Sequence, residues 1–106
     1  MPRYLIVANY TAEGDQGLLK VGGTARRASV TETVEKLGGK VESFDFAFGE
    51  DDVFVVADLP DNITAAAIGL AVSASGLVAT RTIVLLTPEE IDAAAAKHAD
   101  YHGPGQ

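Results

Sequence analysis

The chain has 106 residues, 47% of them apolar, and no cysteine. That length suits a single domain burying roughly two thirds of its unfolded surface. The apolar fraction excludes a disordered chain, and the missing cysteines exclude disulfides, thiolate catalysis and a cysteine-held iron–sulfur cluster. Fifteen acidic against eight basic residues give a net charge of −7, which opposes nucleic-acid phosphates and anionic lipid surfaces, so neither nucleic acid nor membrane is an expected partner.

Met1-Pro2-Arg3 leads directly into a strand pattern, with no signal-type apolar region and no run of about 18 apolar residues, so a cytoplasmic location is expected. The first strand, Arg3 to Tyr10, is dense in β-branched and aromatic residues. Thr11 to Gly23 holds four glycines and mixed charges around Leu18-Leu19, and reads as a flap, either a loop or a loose helical turn. From Thr24, the positions Arg26, Val30, Val34 and Leu37 share one helical face, and Gly38-Gly39 supplies the stop.

A second strand, Lys40 to Phe48, alternates Phe44, Phe46 and Phe48 with polar or small residues. Gly49 to Asp51 turn it into a valine-rich third strand, Asp52 to Leu59. A second helix follows Pro60, with Asn62 as its cap, Ala67, Leu70, Ala71 and Ala74 as its inner face and Gly76 as its end. The fourth strand runs from Leu77 to Leu86. Thr87-Pro88-Glu89-Glu90 then forms a capping box that opens a third helix reaching about Ala99. Residues 1–100 are expected to form one domain and 101–106 a flexible tail.

Strand, helix, strand, strand, helix, strand is the ferredoxin-like βαββαβ plan, an α+β fold with a four-stranded antiparallel sheet and here one C-terminal helix more. Two helices cover one face of such a sheet and leave an apolar face bare. The symmetric cover is a second copy, so a homodimer or a higher homo-oligomer is expected, with the third helix as a brace.

Three segments, Tyr4 to Thr11 (YLIVANYT), Ser43 to Val53 (SFDFAFGEDDV) and Ala74 to Thr82 (ASGLVATRT), resemble the GYD-domain family. The likeness spans residues 2 to about 90. In the Gly-x-Tyr-Asp signature, Gly49 and Asp52 match, whereas Asp51 stands where the tyrosine would be. The resemblance implies a dimeric α+β barrel, two ferredoxin-like units packed sheet to sheet around a cavity. It also implies a menu of chemistry that needs no cofactor: isomerisation, lyase action or oxygenation of a small aromatic or carbonyl metabolite. The alternative is an assembly or ligand-sensing module without turnover.

In this topology the ends of the first two strands meet the starts of the other two. Asn9, Tyr10, Thr11, the turn Gly49 to Asp52, Thr80, Arg81 and the helix start at Arg26 and Arg27 therefore share one edge, with the flap above. Asp52 is a candidate carboxylate base or a turn cap. Tyr10 is a candidate hydroxyl donor or a packing aromatic. Arg26 would clamp an anion or snorkel to the rim. Asp45, among phenylalanines, is a ligand-binding candidate or an edge-strand charge that opposes aggregation. Asn9, Thr11 and Arg81 complete the ligand-binding set. His98 and His102 have helical metal spacing without a fixed carboxylate partner, so no metal site is expected. The face chosen for the cavity places Tyr4, Ile6 and Tyr10 away from the helices, with Leu5, Val7 and Asn9 as the alternative set.

Overall fold

The structure, a computed structural model, describes all 106 residues. Its elements are β1 (Arg3–Tyr10), α1 (Ala12–Val21), α2 (Gly23–Lys36), β2 (Lys40–Phe46), β3 (Val53–Asp58), α3 (Asn62–Ala74), β4 (Val78–Leu85) and α4 (Pro88–Ala95). The strands make one antiparallel sheet in the order β2-β3-β1-β4, which is the ferredoxin-like arrangement with α1 and α4 added. β2 and β4 form its edges.

Register assigns the two faces, because residues directly opposite in an antiparallel pair share a side. Val7 pairs with Phe54 on β3 and with Arg81 on β4, whereas Ile6 pairs with Val55 and Thr82. Tyr4, Ala57, Leu59 and Ile6, Ala8, Val53, Val55, Val78 bury against Val30 and Val34 of α2 and Ala65, Ile68 and Val72 of α3. The even positions of β1, Tyr10 included, therefore face the helices. This reverses the expected outward set of Tyr4, Ile6 and Tyr10; the outward residues are Leu5, Val7 and Asn9. Tyr4 tolerates its burial because its hydroxyl donates to Asn62 Oδ1.

The flap is a ten-residue helix, α1. Thr11 caps it by accepting from the Gly14 amide at 3.2 Å, while the Thr11 hydroxyl donates to the carbonyls of Gly76 and Leu77. Gly14 has to be glycine there, because a Cβ would collide with the Leu77 carbonyl oxygen. Gly22, at φ 84°, then turns the chain directly into α2.

α2 turns the expected stripe inward at Val34 and, in part, at Arg26 and Val30, while Leu37 stays 43% exposed. The start of α2 lies over Phe46, whose ring would meet a Gly23 Cβ at 2.9 Å. α3 departs from expectation twice. Its cap is Asp61, whose Oδ1 accepts from the Thr64 amide at 2.8 Å, and its buried face is Ala65 and Ile68 with Val72 beside them. Leu70 is 73% exposed, and Ala67, Ala71 and Ala74 lie outward. Both stripes have helical spacing, but the one carrying Ile68 and Val72 removes more apolar area from water at the sheet.

β2 stops at Phe46, two residues early, and the connection to β3 is closed by the Ala47 amide donating to the Asp52 carbonyl at 2.7 Å. The capping box of Thr87 and Glu90 starts α4 as expected, but α4 ends at Ala95 rather than near Ala99. None of its residues is buried. The molecule measures 56 × 33 × 24 Å with a radius of gyration of 16.8 Å, against roughly 13 Å for a compact chain of this length. No helix is long and apolar enough to cross a membrane.

Candidate functional site

The edge expected to gather the site residues is divided by the sheet into two constellations. On the helix side, α1, α2 and α3 border a half-open cavity of about 460 Å³ against the ends of β1 and β4. Its walls include Leu18, Val30, Val34, Ile68 and Val72, and its polar groups are Tyr10, Arg26, Ser29, Thr33 and Ser75. A smaller void of about 50 Å³ continues between the helices and the sheet. Tyr10 and Arg26 line both. The Arg26 guanidinium makes no ion pair and no protein hydrogen bond, and neither does the Tyr10 hydroxyl. No carboxylate lines either space.

On the opposite face, Asn9 Nδ2 donates to Asp51 Oδ1 at 2.8 Å, and Arg81 Nη2 donates to Asp51 Oδ2 at 3.2 Å. The Asn9 hydrogen bond, followed by the hydrogen bond and charge of Arg81, holds the Asp51 carboxyl below its ordinary value. At the other end of this face Arg3 pairs with Glu42 at 2.7 Å. Leu5, Phe54 and Val56, half-buried, and Ile83, exposed, lie between the two polar groups outside the core clusters under the helices, while Val7 among them is already buried within the chain.

The remaining candidates disperse. Asp52 Oδ2 accepts from the Tyr10 amide at 2.9 Å, and the carboxylate lines neither cavity. Thr11 is spent on the α1 cap and on carbonyls of the α3–β4 connection. Asp45 is exposed and opposes Phe54 across the β2–β3 pair, whereas its neighbours Phe44 and Phe46 meet edge to face on the helix side, centroids 5.4 Å apart. Arg27 sits with those two phenylalanines in a separate shallow hollow. Both histidines lie beyond the end of α4, so the helical spacing that would have joined them does not exist. Three cavity residues, Ser29, Thr33 and Ser75, are absent from the set that the sequence suggests. Ser29 and Thr33 each lie one residue before a valine of the α2 stripe, a signal that the sequence does carry.

Compared with known proteins, the chain matches the family model described as GYD domain over residues 4–95. No curated protein and no solved structure matches it. With the match covering β1 through α4, and a ferredoxin-like sheet that fits the dimeric α+β barrel superfamily, the chain belongs to the GYD-domain family.

Proposed function

We propose that the chain is a small-molecule-binding subunit of a homodimer, with its ligand seated between α1, α2, α3 and the sheet. The observation that carries this is the cavity of about 460 Å³ with its apolar walls and few polar groups. Its volume falls within the roughly 300–1,000 Å³ usual for ligand sites. Tyr10 and Arg26 both offer donors to a ligand oxygen, an arrangement that suits a carbonyl or an acid. A proton abstraction would also need a base, and no carboxylate or imidazole lines the cavity. Binding or sensing is therefore supported more strongly than turnover, with Tyr10 as the donor and Asp52 as the residue that positions its backbone.

The homodimer is supported by surface. The chain exposes 7279 Å², against roughly 5,600 Å² for a monomer of its mass. The strip from Leu5 to Ile83 between two polar clusters has the layout of an interface core with a polar rim, and α4 is free to brace the second copy. A module serving assembly alone is the second reading, favoured by this face and not by the cavity.

Native mass spectrometry of the purified protein tests both parts. The expected spectrum is a dimer, twice 11.0 kDa, with small-molecule adducts. A monomer at micromolar concentration removes the dimer, and stripped protein that takes up no member of a metabolite panel removes the ligand.

A further inference from the structure

We infer that the ligand of this cavity is a monoanion with an apolar body, an aromatic or branched aliphatic carboxylate, held through its charge by Arg26 and oriented by Tyr10. The inference rests on the cavity being the ligand site proposed above.

Charge comes first. Of the eight basic residues, Arg3, Lys36 and Arg81 each pair with a carboxylate and Lys20, Arg26, Arg27, Lys40 and Lys97 do not; among those five, Arg26 alone lines the cavity. Arg26 is partly buried and pairs with none. It lines a space from which acidic side chains are absent, and its guanidinium carries five donors in a planar fork. A bound carboxylate would supply two acceptors in geometry that matches the guanidinium.

The rest of the lining limits the ligand to one charge. Ten of the sixteen residues around the larger space are hydrophobic, and Arg26 is its single cation. A nucleotide or another polyanion would leave charge unpaired against apolar walls and would approach a molecule of net charge −7. An apolar body fits between Val30, Val34, Ile68 and Val72, and the Tyr10 hydroxyl adds a second donor for the acid group. Snorkelling would account for the position of Arg26 on its helix; the anion is favoured over it by the absence of any carboxylate from the cavity lining.

The test uses three acids, benzoate, 2-naphthoate and 4-methylpentanoate, each against its primary amide, by isothermal titration with the full-length protein stripped of small molecules. At least one acid is expected to bind about tenfold or more tighter than its amide, the scale of one charge-assisted hydrogen-bonded pair. Arg26→Gln should abolish that preference, Arg26→Lys should retain part of it, and circular dichroism checks the fold of each variant. The comparison of acid with amide in the unmodified protein needs no variant. Equal binding of acid and amide, or a preference that survives Arg26→Gln in a folded protein, overturns the anion and leaves the cavity an apolar ligand site. Binding of neither series overturns the anion and the cavity reading together.

Discussion

Asp51 gathers two partners from two different strands: the Asn9 amide on β1 and the Arg81 guanidinium on β4. Its carboxyl lies below the ordinary 3.8, so the folded state favours the charged form more than the unfolded state does. A depressed carboxyl stabilises the fold fully above the unfolded value and loses that contribution as pH falls through the folded value. Asp51→Asn should therefore be less stable than the parent at pH 7, by a margin that stays constant down to about pH 5 and closes below about pH 4. Urea melts at pH 7, 5, 4 and 3 measure this, and a margin that does not narrow in acid would refute the linkage. Asp52, one residue on, holds the Tyr10 amide instead. Adjacent carboxylates thus have separate tasks, one on a side-chain network and one on a backbone.

At the scale of elements, α3 shows how two helical stripes with the same spacing compete. The sequence supports Ala67, Leu70, Ala71 and Ala74 as readily as Ala65, Ile68 and Val72, because periodicity reports spacing and not which side meets the sheet. The sheet chooses the stripe with Ile68, which packs with Tyr4, Val34, Ala57 and Leu59. Ile68→Ala is expected to cost about 2–5 kcal/mol, as a buried large-to-small change does. Leu70→Ala, at a side chain 73% exposed, should stay within about 0.5 kcal/mol. Chemical denaturation of the two variants checks the assignment, and the reverse order would place the other stripe inside. The same logic applies to the segment Thr11 to Gly23, where four glycines leave helix and loop equally open until Thr11 and Gly14 are seen anchored to Leu77.

For the whole molecule, the decisive feature is how little is buried: 13 of 106 residues, with Val84, Leu86 and Ile91 near or on the projecting α4 each more than half exposed. In the homodimer proposed above, a second copy would cover part of this apolar surface. If the face of Leu5, Val7, Phe54 and Val56 is the dimer interface, Phe54→Glu places a charge at its centre and should convert the dimer to a monomer that keeps its circular dichroism spectrum. Sedimentation velocity reads the change. A dimer that persists in the Phe54→Glu variant would move the interface elsewhere.

The order of the strands and of every helix except α1, the limits of β1 and the capping box before α4 follow from local chemistry: alternation, β-branched density, and Thr-Pro-Glu-Glu at a helix start. Each depends on residues within a few positions of one another, and each is legible in the chain. The face to which Tyr10 belongs is not, since alternation states that neighbours point oppositely without saying which side the helices will cover. Packing decides it, because burying Tyr4, Ile6 and Ala8 under Val34 and Ile68 leaves Asn9 and Arg3 free to keep their polar partners. That choice separates Asn9, Asp51 and Arg81 from Tyr10 and Arg26, although all five lie toward one end of the sheet. Local pattern along the chain is enough to bring those residues to that end. Which of them share a site depends on tertiary packing, through a register that commits every second side chain to one face.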